Sequence, residues 1–386
     1  MSYRPYYLAQ NFQRLGFNTT IITSGYHHLS QIHKAGLGFR TVDEQSFYFV
    51  ESARYTGNGF GRLRNMFSFS INLFKESFRR FSDNNRPDVI IASTAHPFHI
   101  FAAKYYAFKF DAKLILEVRD LWPMSLQELL GLSKYHPLCL LISFAQNFGY
   151  RVSDHCVSLL ENSEEYLVNQ GLGSGRFTCI PNGVELSPCN NFSVVQHEVL
   201  DTLQRLIKDF DTVIGYTGAI GIPNNLEPLI QAANYIKKGI AIVIVGDGSE
   251  KLRLQKICNK LELDNVFFFD SVPKVVVSDI INCCDAMFIN SLPKEIYKYG
   301  ISPNKIFDYM LHDKPVFNGI DAPNNPLELS KSEIKFIGSD FRDLADKINL
   351  FHFNKYSFEI SSSDYVKQFH SYSYLAEKYT KLFLDE

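Results

Sequence analysis

Short apolar runs alternate with helix-length amphipathic segments along almost the whole chain, and this constrains the fold more than any other feature. In the first half NTTIITS (18–24), DVIIAS (88–93), KLILEV (113–118), HCVSLL (155–160) and FTCIPNGV (177–184) read as strands. In the second, VIGYTG (213–218), IAIVIVG (240–246), VFFFD (266–270), DAMFIN (285–290), KPVF (314–317) and IKFI (334–337) do so. Segments of helical period lie between or beside them, near 4–15, 62–81, 98–109, 137–152, 225–238, 250–261, 275–283, 340–350 and 364–384. Such alternation builds parallel sheets with helices on both faces, so the expected class is α/β with Rossmann-like, doubly wound sheets.

The chain has 386 residues, enough for two or three domains. Residues 185–210 break the alternation, with Pro188, Asn190 and Asn191 and no strand pattern. The expected boundaries are therefore 1–188 and 189–363, with the last helix (about 364–386) packing back on the first domain. Pro181-Asn182-Gly183 in IPNGVE (180–185) suits a sharp turn and a hinge. A doubly wound domain usually opens with a strand and a glycine turn, whereas this chain opens with a helix. The first strand of the N-terminal domain is thus expected to be missing, as a truncated or misplaced start would produce.

A hydrophobic fraction of 46% excludes a disordered or fibrous chain. Lys plus Arg is 39 against 41 for Asp plus Glu, a net charge of −2. That balance argues against a general nucleic-acid binder, but not against a small anion held by a few local charges. The 7 cysteines are odd in number, with no CxxC pair or Cys/His metal spacing, and read as buried free thiols in a reducing compartment. No apolar run reaches the ~18 residues of a membrane span, and no signal peptide follows Met1, so a cytoplasmic location is expected.

Two glycine turns follow strands in the second half. GYTGAIG (215–221) offers Gly218 and Gly221; GDGSEK (246–251) offers Gly246 and Gly248, with Lys251 one turn into the next helix. Each could be only a tight turn, but two at neighbouring strand ends suit an anionic ligand. In SPNKIFDYM (302–310), Ser302 suits an N-cap and Pro303 the first helical position. Lys305 falls in the first turn, where a cation opposes the macrodipole unless an anion arrives there. Asp308 could accept sugar hydroxyls or form an ion pair. EVRDLWP (117–123) sets Glu117, Arg119 and Asp120 at a strand end, and STAHPFH (93–99) sets His96 at another; a cleft or a structural salt bridge would each account for them. Helix 62–81 carries Arg62, Arg64, Lys75, Arg79 and Arg80 against one acid, Glu76, among aromatic residues. It reads as a core helix with a basic face or as a contact with an anionic membrane. P-loop, GxSxG and HExxH motifs are absent, and the single DxD, Asp209-Phe210-Asp211, reads as incidental.

Taken in order, RPYYLAQNFQRLGFNTTIIT, PDVIIASTAHPF, EVRDLWP, IPNGVE, GYTGAIG, VGDGSEK and SPNKIFDYM followed by KPV resemble a retaining glycosyltransferase of family four with the two-domain GT-B fold. EVRDLWP with YGISPNKIFDYM resembles the branch of O-antigen and capsule enzymes that includes L-fucosamine transferases. The resemblance implies two Rossmann-like domains whose parallel sheets face a central cleft. The second domain would bind a nucleotide-diphospho-sugar, UDP-linked by preference, through Gly218, Gly221, Gly246, Gly248, Lys251, Ser302, Asn304, Lys305 and Asp308. Catalytic roles would fall to Arg119, Asp120, His96 and Lys305, with Lys251 and Lys305 meeting the diphosphate. Asp308 stands where the family's second glutamate of a spaced pair sits, and Gly300 stands in place of the first. No metal or cofactor is implied. The acceptor would be a polyprenyl-diphosphate-linked saccharide at the inner face of the cytoplasmic membrane. A UDP-sugar 2-epimerase of similar fold and a non-catalytic nucleotide-binding remnant are the rival readings.

Overall fold

A computed structural model describes residues 3–26, 37–55, 59–76, 86–186, 197–355 and 360–384. The chain divides into two compact units. The first comprises Met1–Asn182 and Tyr372–Glu386, the second Gly183–Ser371. The chain thus changes unit inside Pro181-Asn182-Gly183 and returns between Ser371 and Tyr372, against expected boundaries at 188 and 364. Near both crossings, the Val184 N–H donates to the His370 carbonyl at 2.9 Å.

The first unit runs α1 (Tyr3–Arg14), β1 (Thr20–Ser24), β2 (Gly38–Val42), β3 (Gln45–Val50), α2 (Phe60–Lys75), β4 (Val89–Ser93), α3 (Ile100–Phe110), β5 (Lys113–Val118), α4 (Met124–Leu130), α5 (Pro137–Val152), β6 (His155–Ser158), α6 (Glu164–Asn169) and β7 (Phe177–Cys179). Its strands form two sheets, β1–β3–β2 and a wholly parallel β4–β5–β6–β7. Among the described residues β1 and β4 each end a sheet, and α1 precedes both. β5 is buried from Leu114 to Val118, as a strand covered on both faces must be. Helix α5 starts where Pro137 fixes the first turn and His136 Nδ1 accepts the Leu138 N–H at 3.2 Å.

The second unit runs α7 (Glu198–Leu206), β8 (Thr212–Thr217), α8 (Glu227–Ala232), β9 (Ile240–Val245), α9 (Lys251–Lys260), β10 (Val266–Phe269), α10 (Lys274–Asn282), β11 (Ala286–Ile289), α11 (Asn304–Leu311), β12 (Val316–Asn318), α12 (Pro326–Leu329), β13 (Glu333–Lys335), α13 (Phe341–Asn354) and α14 (Ser362–Phe369). Its sheet is parallel throughout, in the order β10–β9–β8–β11–β12–β13. Every residue of β8, β9 and β11 is buried. One core packs Leu203, Ile280, Phe307 and Met310 on one side of the sheet; another packs Leu229, Leu254 and Ile348 on the other.

Three expectations are corrected. The helix expected over 62–81 ends at Lys75, where Glu76 turns extended (ψ 128°); Phe78, Arg79 and Arg80 lie outside the described residues. The single terminal helix expected near 364–384 is two, because α14 stops at Phe369 before α15 (Tyr372–Leu384) begins. α14 packs on α11 in the second unit, and α15 packs on α1 in the first, burying Phe12 against Tyr379. The helix expected over 225–238 is the short α8. The hairpin β2–β3 was not expected from the sequence. Its turn residues Asp43 and Glu44 hold φ of 47° and 66° without the glycine that usually marks such a turn.

Candidate functional site

In the second unit the chain runs from β8 outward to β9 and β10 on one side, then crosses back through α10 to β11 on the other side of β8. An open parallel sheet offers a ligand crevice at the C-terminal ends of strands that part in this way. β8 ends there at Thr217, followed by Gly218, and α11 is tied to the same place through Tyr309. Tyr309 Oη accepts the Thr217 N–H at 3.0 Å and donates to its carbonyl at 3.2 Å. Tyr309 is fully buried, so the phenol fixes the helix against the strand end.

That anchoring sets Lys305 beside the first glycine turn. Its ammonium donates to Tyr216 Oη at 2.7 Å and to Asn224 Oδ1 at 3.1 Å, and it lies 4.1 Å from the centre of the Tyr216 ring. Gly218 leaves the space: a Cβ there would stand 3.2 Å from the lysine nitrogen. Burial pulls the Lys305 ammonium down to about 7, and among the described residues no carboxylate opposes it. The helix begins with Pro303 rather than the expected Ser302 as its cap residue, and no side chain caps it. An uncapped helix start beside a desolvated, uncompensated cation is arranged to receive an anion. Asn304 is exposed at the first helical position, and Ser302 is half-buried just before it.

The second lysine has a different environment. Lys251 Nζ donates to Asp270 at 2.6 Å, to Asp247 at 3.2 Å and to the carbonyls of Gly246 and Phe269, both at 3.1 Å. Burial lowers its ionisation, but those carboxylates outweigh it and hold the ammonium above its ordinary value. Its charge is already balanced. Asp308 is likewise engaged, in an ion pair with Lys274.

Gly246 and Gly248 bring the two turns together. A Cβ on Gly246 would lie 1.9 Å from the Gly218 carbonyl oxygen, and one on Gly248 2.1 Å from that of Ile220. The strand ladder continues into the turns through Gly218 N–H to Val245 O (3.0 Å) and Ile220 N–H to Asp247 O (2.8 Å). These two glycines therefore serve contact of loop with loop. Gly221 lines a cavity of about 130 Å³ with Ile222, Glu250 and Arg253, too small to enclose a nucleotide. Gly300 has φ of 107°, which explains its place: a glutamate there would be strained.

In the first unit, His96 follows β4 while Arg119 and Asp120 follow β5. Thr94 joins the two ends: its hydroxyl donates to the Glu117 carbonyl at 3.1 Å and accepts the Arg119 N–H at 3.2 Å. His96 is half-buried, 5.0 Å from the His99 ring and edge-on to Phe69. Burial, then His99 and Arg62, push its ionisation well below the usual histidine range; burial takes His99 to about 4. Asp120 is exposed, yet crowding by its neighbours raises its carboxyl against the pull of Arg119 and Arg62. Arg62 of α2 thus acts on both His96 and Asp120. Glu117 leaves this group. It takes Arg4 Nε at 2.8 Å, Ser93 Oγ at 2.6 Å and Tyr379 Oη, clasping α1, β4, β5 and α15.

Sequence reasoning missed Tyr216, Asn224, Tyr309 and Arg4. The only local signal was the tyrosine in GYTG and another four residues beyond Lys305. Among the described residues no three His, Cys, Asp or Glu side chains gather as a metal site would need. Cys189 lies outside the described residues.

Residues 2–188 match the family model for Glycosyltransferase Family 4, and residues 203–296 match that for Glycosyl transferases group 1. The second match ends before α11 begins. No curated protein matches the sequence. Among solved structures the chain is similar to sucrose-phosphate synthase from Thermosynechococcus elongatus, with a TM-score of 0.70 at 12% identity, covering 98% of this chain and 91% of that one. It is also similar to Anabaena HepE, solved with UDP and glucose, with a TM-score of 0.68 at 14% identity, covering 98% and 94%. WaaG, a glycosyltransferase involved in lipopolysaccharide biosynthesis, gives 0.64 at 11% identity, covering 98% and 95%.

Proposed function

The chain is a glycosyltransferase with the GT-B fold, and on that premise we propose that it moves a sugar from a nucleoside-diphospho-sugar, UDP-linked by preference, to a lipid-linked saccharide in bacterial surface polysaccharide synthesis. The observation that carries the donor assignment is Lys305, a cation with no carboxylate partner among the described residues, at the uncapped start of α11. The UDP bound to HepE and the lipopolysaccharide role of WaaG support the donor and acceptor classes by likeness of fold.

Breaking the sugar–phosphate bond builds negative charge on the departing diphosphate while the sugar becomes oxocarbenium-like. Lys305 and the free amides of α11 stabilise that charge from fixed positions. Gly218 and Gly221 give the diphosphate access to the strand end, with Ser302 and Asn304 beside it. Lys251 and Asp308 act at this site only after leaving Asp270, Asp247 and Lys274. His96, Arg119 and Asp120 serve the acceptor, whose attacking hydroxyl gives its proton to a departing phosphate oxygen on the same face, so the anomeric configuration is retained. This charge neutralisation needs no metal, and turnover is expected to survive a chelator. α2 gives the first unit a basic helix for an anionic membrane surface.

A thermal-shift screen of UDP-, GDP- and dTDP-sugars, followed by transfer to a polyprenyl-diphosphate-linked saccharide, tests the reading. Stabilisation by a UDP-sugar and an acceptor-dependent product of retained anomeric configuration are expected. Conversion of donor without acceptor would establish an epimerase. Binding with the donor unchanged would establish a remnant.

A further inference from the structure

We infer that α2, α3 and α5 together form one face that seats the first unit on an anionic lipid bilayer, with Phe108 and Phe144 as the inserting side chains. This deepens the membrane contact read above and rests on it, but places the strongest apolar contacts on helices other than α2. Phe60, Phe108 and Phe144 are 82%, 85% and 66% exposed. Rings adjoin across the helices: exposed Phe74 of α2 lies 5.8 Å from exposed Tyr105 of α3, and half-buried Phe101 of α3 lies 6.1 Å from exposed Phe144 of α5. Phe101, Tyr105 and Phe108 recur at helical spacing on one face of α3, which links the two contacts.

Charge selects the occupant. The segments Phe60–Lys75, Ile100–Phe110 and Pro137–Val152 contain no Asp or Glu, in a chain whose net charge is −2. They carry Arg64 and Lys75, Lys104 and Lys109, and Arg151. Exposed aromatics on helices that carry cations and no acid, with Glu76 and Asp111 only at the caps of α2 and α3, match the interface of a bilayer containing anionic lipid. No helix among the described residues is long and apolar enough to cross a membrane, so the contact lies in the plane of the interface.

Flotation of the full chain tests this, with vesicles of phosphatidylcholine containing about one-third phosphatidylglycerol and with phosphatidylcholine alone. Binding is expected only to the anionic vesicles, weakened by salt, and about tenfold or more weaker in the Phe108→Ser, Phe144→Ser double variant. A Phe108→Trp variant gives a second reading, a shift of its emission to shorter wavelength on the same vesicles. Absence of flotation, flotation unchanged in the double variant, or self-association through this face in light scattering overturns the inference. Donor stabilisation and transfer to a detergent-dispersed acceptor are measured on the same variants. Loss of flotation with transfer intact places the failure in this surface; loss of transfer by the wild type places it in the functional reading.

Discussion

Replacing Lys305 by methionine should stabilise the free protein while abolishing its chemistry. The lysine stem is packed beside Tyr216, and among the described residues its ammonium has Tyr216 Oη, Asn224 Oδ1 and the ring face for company. Burying a charge without an opposite partner costs free energy, which is why the ammonium falls from 10.5 to about 7. Methionine keeps the stem and removes that cost, ~1–3 kcal/mol by the measure of buried polar groups, less about 0.5–1 kcal/mol for the lost cation–π contact. A net gain of about 1 kcal/mol raises Tm by roughly 2–4 °C. The pH dependence has a definite sign. Unfolded, the lysine keeps its proton to about 10.5; folded, it loses it near 7. Between those values the unfolded chain binds more protons, so this group makes stability rise with pH, and the variant flattens that rise. Turnover should fall at least ~100-fold, about 2.7 kcal/mol in the barrier. The UDP-induced thermal shift should go with it, and in the wild type UDP should bind more weakly as pH rises from 7 to 9. Scanning calorimetry and initial rates on the two proteins provide the check. A methionine variant that melts lower and still turns over would refute the reasoning, since Lys305 would then be a structural strut.

Glu117→Gln should cost ~3–5 kcal/mol, because it leaves the Arg4 guanidinium buried without its counter-charge. Burial works against the Glu117 carboxylate, but Arg4 and the hydroxyls of Ser93 and Tyr379 hold it at about 2, against an ordinary 4.5. Its stabilisation is therefore complete above pH 4.5 and lost toward pH 2, and urea titrations across that range should show the loss in wild type but not in the variant. Gly246→Ala should destabilise the second unit by more than about 3 kcal/mol, since a methyl 1.9 Å from the Gly218 carbonyl oxygen forces the turns apart. Limited proteolysis would register that as faster cleavage. Tyr309→Phe should cost about 1–3 kcal/mol by leaving the Thr217 amide unpaired, and should lower the affinity for UDP by loosening α11; unchanged calorimetric affinity would separate that helix from the donor.

The elements that the sequence made legible are those whose burial pattern is local. β5 (Lys113–Val118) and α5 (Pro137–Val152) fall where they were expected, the first as a buried apolar run and the second from its helical period. The hairpin turn at Asp43 and Glu44 was invisible because two non-glycine residues hold positive φ there. The site divides along the same line. A lysine in the first turn of α11 is a conflict visible in sequence, because it opposes the helix dipole. Its resolution is tertiary: Tyr216 and Asn224 lie 89 and 81 residues away, and Tyr309 reaches across 92 residues to Thr217.

Lys251 and Lys305 look alike in the sequence, each following a glycine turn or a helix start in a Rossmann-like half. Structure separates them by what comes back to meet them. Asp270, brought alongside by the end of β10, neutralises Lys251 from 19 residues away, and Asp247 does so from four. Among the described residues no carboxylate reaches Lys305, and the one acid on its helix, Asp308, is taken by Lys274. An arriving diphosphate therefore gains a full counter-charge at Lys305, but at Lys251 it must first displace two carboxylates. The same inequality bears on Gly300, whose φ of 107° would strain a carboxylate side chain at the position where the family resemblance would place one. With one acid of the pair absent and the other engaged, the backbone amides and lysine of α11 are left to hold the donor. The affinity of this site should thus follow the charge of the diphosphate more closely than the hydroxyl pattern of the sugar.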